Sequence, residues 1–382
     1  MGVFLIVHAA MSAAILALHL ALAVGLCLNF LRERRLGAAK APDAPALRAE
    51  VVVALRNEEA TLPRLLESLR GQTLAGCRFL FVDDRSTDAT SRLLDEFCRA
   101  TGPFARVIHV REEAPALTGK QSALDRAFAD ARGEVLLFTD GDCRVPSTWA
   151  AELLRHFRDP RVGVVLGRIE LAEGRSFLER FQAFEQPLIN QYNLSSAGIG
   201  LPIGCFGNNM AVRAAAVKET GGFKAMGRSV TEDAMLLGAV SRGGGWKVKV
   251  CTSEGGAVTT IAQRRWRAYV DQHTRWNAGG LFSPDTVTRL CFILVVLVYL
   301  VGSLVVLPLG FADWRVPLLS LNSFLSIGIL AGIGGCYEGK HRARYFLRLL
   351  PYLFFFGFFY SFITLRALFR RPFEWKGATL RP

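Results

Sequence analysis

Val135-Leu136-Leu137-Phe138-Thr139-Asp140-Gly141-Asp142 decides the fold class: four apolar residues run directly into two carboxylates one residue apart. A short, wholly apolar run bounded by turn residues reads as a strand buried on both faces of a sheet. The same grammar recurs upstream. Val51-Val52-Val53-Ala54-Leu55 leads to Glu58 and Glu59, and Phe79-Leu80-Phe81-Val82 to Asp83 and Asp84. Val107 to Val110 is a further strand, and Leu62, Leu65, Leu66 and Leu69 lie on one face of an intervening helix. Alternating strands and helices over residues 50 to 285 predict an α/β domain with a largely parallel sheet. In an open α/β sheet ligands bind at the carboxyl ends of strands, so the acidic side chains should converge on one crevice. Any one acidic pair alone is equally a solvated loop or a helix cap, and Asp88 in Ser86-Thr87-Asp88 reads as a cap.

The flanks have a different composition. The chain of 382 residues is 51% hydrophobic and 21% charged, with 46 Lys and Arg against 33 Asp and Glu, a net charge of +13. Residues 1 to 31 contain no charge, and Val3 to Leu31 exceeds the ~20 apolar residues that cross a hydrocarbon core. Basic residues follow this run, where a cleaved signal peptide would carry them before it, so a retained anchor is predicted. Leu290 to Ala312, Val316 to Tyr337 and Leu349 to Leu365 are three further charge-free stretches, giving about four expected membrane helices. The resulting division is an anchor over 1 to 31, a linker over 32 to 49, the α/β domain over 50 to 285, membrane helices over 286 to 369 and a basic tail over 370 to 382.

The charge divides accordingly. Residues 31 to 40 carry a net +3 and residues 336 to 382 a net +7, which leaves +3 for residues 41 to 335. The excess is membrane collar, with no nucleic-acid-binding module to claim it. Positive-inside asymmetry puts the α/β domain in the cytoplasm of a multi-pass protein of the cell (inner) membrane, but four full crossings would put Arg370, Arg371, Lys376 and Arg381 on the opposite side. The last segment or another is then re-entrant or interfacial instead of spanning. Eight cysteines without C-x-x-C or zinc spacing read as reduced thiols, and uninterrupted spans give no transporter path.

Within the domain, Asp140 and Asp142 form an oxygen-donor pair suited to Mg²⁺ or Mn²⁺. Lys120, beside Gly119 at a helix start, is placed to meet a phosphate and is equally an ordinary surface lysine. Thr231-Glu232-Asp233 opens a helix, with Thr231 as N-cap and a carboxylate available as general base, Asp233 first and Glu232 in reserve. Gln272-His273-Thr274-Arg275-Trp276 reads either as an interfacial anchor or as a site in which Arg275 binds diphosphate and Trp276 stacks on a sugar.

The set Asp83-Asp84, Asp140-Gly141-Asp142, Thr231-Glu232-Asp233 and Gln272-x-x-Arg275-Trp276, in this order between membrane segments, resembles membrane-bound glycosyltransferase family 2. The resemblance spans about two thirds of the chain. It implies a GT-A (Rossmann-like) nucleotide-sugar domain flanked by transmembrane helices, with Asp83 or Asp84 on the nucleotide, Asp140 and Asp142 on metal and diphosphate, and Asp233 as the base of an inverting transfer. Gln272, Arg275 and Trp276 would close the donor and acceptor site. Glu58 and Lys120 border the donor, and Asn208 and Asn209 the acceptor. The expected activity is transfer of a hexose from a UDP-sugar to a lipid acceptor at the cytoplasmic membrane face, assisted by Mn²⁺ or Mg²⁺. A processive polysaccharide synthase is the alternative within the family, and a noncatalytic nucleotide-sugar-binding membrane subunit is the alternative outside it.

Overall fold

The computed structural model describes residues 2–38, 47–112, 117, 119–172, 174–300, 313–337, 355, 358–375 and 378–380. In chain order its helices are α1 (Gly2–Ala38), α2 (Leu62–Arg70), α3 (Thr90–Thr101), α4 (Gly119–Asp130), α5 (Trp149–Leu154), α6 (Phe177–Gly198), α7 (Ala214–Glu219), α8 (Gly222–Met226), α9 (Glu232–Gly243), α10 (Trp266–Leu281), α11 (Thr286–Leu300) and α12 (Arg315–Tyr337). A short apolar helix, Phe358–Leu368, follows as α13. The strands are β1 (Ala49–Leu55), β2 (Arg78–Asp84), β3 (Ala105–Val110), β4 (Val135–Phe138), β5 (Val162–Gly167), β6 (Ile169–Leu171), β7 (Met210–Arg213), β8 (Lys247–Cys251), β9 (Val258–Thr260), β10 (Phe373–Trp375) and β11 (Ala378–Leu380).

Seven strands form the central sheet in the order β3-β2-β1-β4-β7-β5-β8. The strands predicted around β1 are parallel to it, but β7 runs antiparallel to both β4 and β5. The sheet is therefore mixed, largely parallel as expected but with β7 as its one antiparallel strand. No run of residues announces this, because β7 is only Met210-Ala211-Val212-Arg213 and strand direction is set by how the chain returns from α6. The pleat distributes β1 between two cores: Val51, Val53 and Leu55 pack with α2, α3 and Trp149, while Val52 and Ala54 pack with α4, α9 and Phe223. Glu50, buried in the same strand, accepts hydrogen bonds from the N–H groups of Arg132 and Gly133 and pairs with Arg106 at 3.0 Å, which compensates its charge.

The expected anchor is a helix docked onto the domain. Helix α1 continues through residues 32 to 38, the beginning of the expected linker, and packs on α6 and α12. At its crossing with α6, a Cβ on Gly25 would lie 2.2 Å from the Ser195 carbonyl oxygen, and one on Gly198 would lie 2.0 Å from that of Gly25. Asn29 and Arg32 donate to the Leu194 and Gly198 carbonyls at 2.7 and 3.0 Å beside this crossing. Such contacts put backbone on backbone, an approach only glycine permits.

Among the described residues one helix, Gly2–Gly37, is long and apolar enough to cross a membrane. The expected spans ending at Ala312 and beginning at Leu349 fall partly outside the described residues, as does the basic loop Lys340 to Arg344. The described part of the last span, α13, lies along α10. Phe359 stacks on Tyr269 with ring centroids 5.1 Å apart, Ile363 joins the same cluster, and Arg366 pairs with Asp271 at 3.2 Å. The tail is a hairpin of β10 and β11, with β10 against α10. The described part of the tail therefore packs on the α/β domain, while Lys376 and Arg381 lie outside the described residues.

The glycine crossing gives a test by contrast. Gly25→Ala is expected to destabilise the protein by about 1–3 kcal/mol through overpacking. Gly328→Ala on α12 meets no neighbour within 4 Å and gains helix propensity of about 1 kcal/mol. Thermal unfolding in detergent should show opposite shifts; equal shifts would remove the crossing as a constraint.

Candidate active site

Strand β4 ends at Phe138, and Thr139 to Asp142 turn over the carboxyl edge of the sheet. Gly141 is required there, because an added Cβ would stand 2.6 Å from Leu55 Cδ2 and 2.8 Å from Glu58 Cγ. The turn is thus pressed against the loop after β1, and Asp140 and Asp142 remain half-buried and partly accessible on either side of it. A cavity at this edge has Lys120, Asp140, Gly207, Glu232 and Asp233 on its walls and Phe138 among its apolar lining.

Lys120, in the first turn of α4, joins two of these groups. Its Nζ donates to Asp140 Oδ1 at 2.9 Å and lies 3.2 Å from Glu232 Oε1. Burial would depress the lysine pKa, but the fields of Asp140 and Glu232 outweigh it and hold the ammonium above its ordinary value. The surface-lysine alternative is therefore excluded.

Glu232 and Asp233 open α9 and face different partners. Glu232 is buried against Lys120, whereas Asp233 Oδ2 accepts the Gly207 N–H at 2.8 Å and Oδ1 accepts that of Ala234 at 2.9 Å. Burial and the adjacent Glu232 carboxylate raise the Asp233 pKa, against the opposing pull of Lys120. Thr231 occupies the N-cap position but makes no side-chain cap hydrogen bond; its side chain is packed against Gly279 of α10. The expected threonine cap is absent because α10 claims that side chain.

The segment before α9 is held from both sides. Gln121 of α4, fully buried, donates to the Gly227 carbonyl at 3.0 Å and accepts the Ser229 N–H at 3.0 Å. Arg275 of α10 donates to the Val230 carbonyl at 3.0 Å, and its charge also favours ionised Asp233. Gln121 was not among the expected site residues, although it stands next to Lys120. Its role depends on a partner over a hundred residues away, which no local pattern signals.

Asp83 and Asp84 end β2 beside this centre. Asp83 accepts hydrogen bonds from Ser91 Oγ and the Ser86 N–H and meets His109 Nδ1 at 3.0 Å. Burial works against its charge, but these partners prevail and hold its pKa low. Asp84 pairs with Arg85 through both oxygens, at 2.9 and 3.3 Å. The loops after β1 and β2 are stitched together: Asn57 N–H donates to Ser86 Oγ, Thr87 N–H to Asn57 Oδ1, Glu58 N–H to Thr90 Oγ1 and Glu59 N–H to Asp88. Asn57 and Arg85 both take positive φ, at 53° and 57°, one in each loop. Asp88 also accepts the Thr90 N–H, consistent with its reading as a cap.

Of the acceptor pair, Asn208 lies beside the Asp142 turn, donating to Cys143 Sγ at 3.5 Å. Asn209 is placed otherwise. It is fully buried and spends its amide on the carbonyls of Arg168 and Gly256 and on Trp149 Nε1, so it ties the sheet together and has no group left for an acceptor. On α10, Gln272 and Trp276 are half-buried and one turn apart, on the stripe that Arg275 adjoins. The opposite side of that helix is fixed by Glu185 of α6, which accepts the Tyr269 hydroxyl at 2.6 Å and lies 3.3 Å from His273 Nε2.

Residues 50–220 match the family described as Glycosyl transferase family 2. The chain is 30% identical over 317 residues to a beta-monoglucosyldiacylglycerol synthase of Synechocystis sp., covering 76% of this chain and 63% of that protein. It is 25% identical over 319 residues to a beta-monoglucosyldiacylglycerol synthase of Nostoc sp., covering 77% and 64% respectively. The chain thus spans less than two thirds of the length of these curated relatives. In fold it is similar to a mannosyltransferase of Pyrobaculum calidifontis solved with GDP-Man and Mn²⁺, with a TM-score of 0.56 and 16% identity over 95% of this chain and 99% of that one. The mixed seven-stranded sheet is thereby GT-A-like, and it is residues 50–220, its core, that match glycosyl transferase family 2.

Proposed function

We propose that the protein transfers a hexose from a nucleoside diphosphate sugar, a uridine one, to the hydroxyl of a lipid at the cytoplasmic membrane face, with inversion at the anomeric carbon. The observation that carries the reading is the junction of Asp140, Lys120, Glu232 and Asp233 at the carboxyl edge of the sheet. It brings a phosphate-binding cation and a candidate base to the same cavity.

In this reading Asp233 takes the proton of the acceptor hydroxyl, whose oxygen then attacks the anomeric carbon as the nucleoside diphosphate leaves with the bonding pair. The raised pKa of Asp233 suits it to hold that proton. Its two backbone hydrogen bonds fix where the carboxylate points. Lys120 neutralises the donor side of the cavity, while Glu58, Asp83 and Asp84 border the nucleotide. Gln272, Arg275 and Trp276 close the site from α10, with Asn208 on the acceptor side. The half-buried Asp140 and Asp142, with the cradle that a Cβ on Gly141 would fill, fit a hard divalent cation, Mn²⁺ or Mg²⁺. Bound there, it would stabilise charge developing on the departing diphosphate.

Support for a lipid acceptor comes from α13. Its inward residues Phe359, Ile363 and Ala367 pack against the α10 and α11 region, while Phe358, Phe362, Leu365 and Phe369 form an exposed stripe at helical spacing. A helix of this kind lies in a membrane interface, which would bring the acceptor side of α10 to the lipid headgroups. The curated relatives named above are beta-monoglucosyldiacylglycerol synthases by name, in agreement with such an acceptor.

Incubation of purified protein with radiolabelled UDP-sugars, Mn²⁺ and native lipids should place label in extractable lipid. Label in long water-soluble polymer alone would favour a polysaccharide synthase. Asp233→Asn should lower turnover ~10²–10⁴-fold, the range for a lost general base, while UDP binding by calorimetry is kept. Unchanged lipid products in that variant would remove Asp233 from the role.

The acid limb of the kcat profile should fall at a pH above the ordinary carboxylate range, since a raised pKa leaves the base protonated over a wider acid window. Lys120→Ala should weaken UDP binding about tenfold or more, the loss of one charged hydrogen bond.

A further inference from the structure

A second cluster of ligating side chains lies away from the cavity, where α1 meets the far edge of the sheet. Glu33 of α1, His156 in the turn after α5 and Cys251 at the end of β8 bring a carboxylate oxygen, an imidazole nitrogen and a thiol sulfur within 4.8 Å of one another. The strand order puts β8 three strands from β4, ~14 Å at strand spacing, so this group is separate from the Asp140 and Asp142 turn.

Each member is held in place. Glu33 accepts the Thr252 N–H at 2.9 Å through Oε2, and Arg155 pairs with its other oxygen. Cys251 is fully buried, with its Sγ 3.3 Å from Ser253 Oγ. His156 is 9% exposed, and its Nε2 has no hydrogen-bond partner although it stands 3.5 Å from a Glu33 oxygen. Burial and the Arg155 charge keep the imidazole neutral, lowering its pKa to about 3, so the nitrogen retains a lone pair when it is not the protonated tautomer. A buried nitrogen facing a carboxylate without a hydrogen bond needs an explanation. The 3.5 Å separation is close to that of two ligands on one tetrahedral ion with metal–ligand bonds of about 2.1 Å.

We propose that Glu33, His156 and Cys251 bind a zinc ion that fastens the domain end of α1 to the edge of the sheet. Thiolate, imidazole and carboxylate together suit Zn²⁺ and not Mg²⁺, which prefers oxygen ligands alone. Binding displaces the Cys251 thiol proton to solvent as the Zn–S bond forms, and a water completes the fourth position. The ion would join three segments far apart in sequence, so its contribution is to docking rather than to transfer.

The full-length chain, purified in detergent without chelator, should contain about one zinc per chain by elemental mass spectrometry, and Cys251→Ser and His156→Ala should lose it. Replacement by Co²⁺ should give a thiolate-to-cobalt charge-transfer band in wild type that Cys251→Ser abolishes and Cys143→Ser, beside the Asp142 turn, retains. A chelator should lower the Tm of wild type and leave that of Cys251→Ser unchanged. Wild type without zinc, without a cobalt band and without a Tm response to added ZnCl₂ would overturn the proposal and leave a plain ion-pair cluster. A cobalt band lost in Cys143→Ser instead would assign the metal to the cavity and equally overturn it.

Discussion

The Lys120 ammonium, set between Asp140 and Glu232, is the interaction on which the site depends. Three acidic side chains, Asp140, Glu232 and Asp233, converge at one edge of the sheet, and like charges at such range would drive protonation or separation. The half-buried Lys120 ammonium removes part of that cost and links the strand-end turn to the start of α9. Its neighbour Gln121 then fixes the loop leading into α9 from the same helix. Two successive residues of α4 thus set both the electrostatics and the geometry of the candidate base.

Second to this is the order of attachment around the cavity. The loops after β1 and β2 hold each other through side-chain to backbone bonds, at the cost of positive φ at Asn57 and Arg85. Helix α10 is held through Tyr269 and His273, which meet Glu185 of α6 and Phe359 of α13. The edge proposed for the donor is therefore rigid through its own loops, while the side proposed for the acceptor takes its position from helices that also carry exposed apolar residues.

Much of the domain was legible because its strands are wholly apolar runs that stop at carboxylates. β1, β2, β3 and β4 and the face of α2 needed only periodicity, and the acidic ends followed from the rule for open sheets. The antiparallel β7 was not legible, since direction is a tertiary property. Asn209 looked like its neighbour Asn208, yet one is a buried tie and the other borders the cleft region. Only contacts with Trp149, Arg168 and Gly256 separate them. Arg275 likewise reaches the Val230 carbonyl, and Thr231 packs on Gly279, because α9 and α10 meet in a way that no local spacing encodes. The apolar C-terminal runs predicted membrane helices by length, whereas the contacts of Phe359 and Arg366 with α10 were not legible from that pattern.

The close crossing at Gly25 and Gly198 also makes α1 a ruler. From that crossing the helix continues toward Gly2 for about 35 Å at 1.5 Å per residue, close to the ~30 Å of a hydrocarbon core. Under the proposed lipid-acceptor function, with α1 spanning the bilayer and unable to slide past α6, the height of the cleft above the bilayer would be set by how far those residues sink. Acyl-chain length in the surrounding lipids would then govern how far an acceptor headgroup must rise to reach the candidate site, so membrane thickness would become a variable of the proposed reaction.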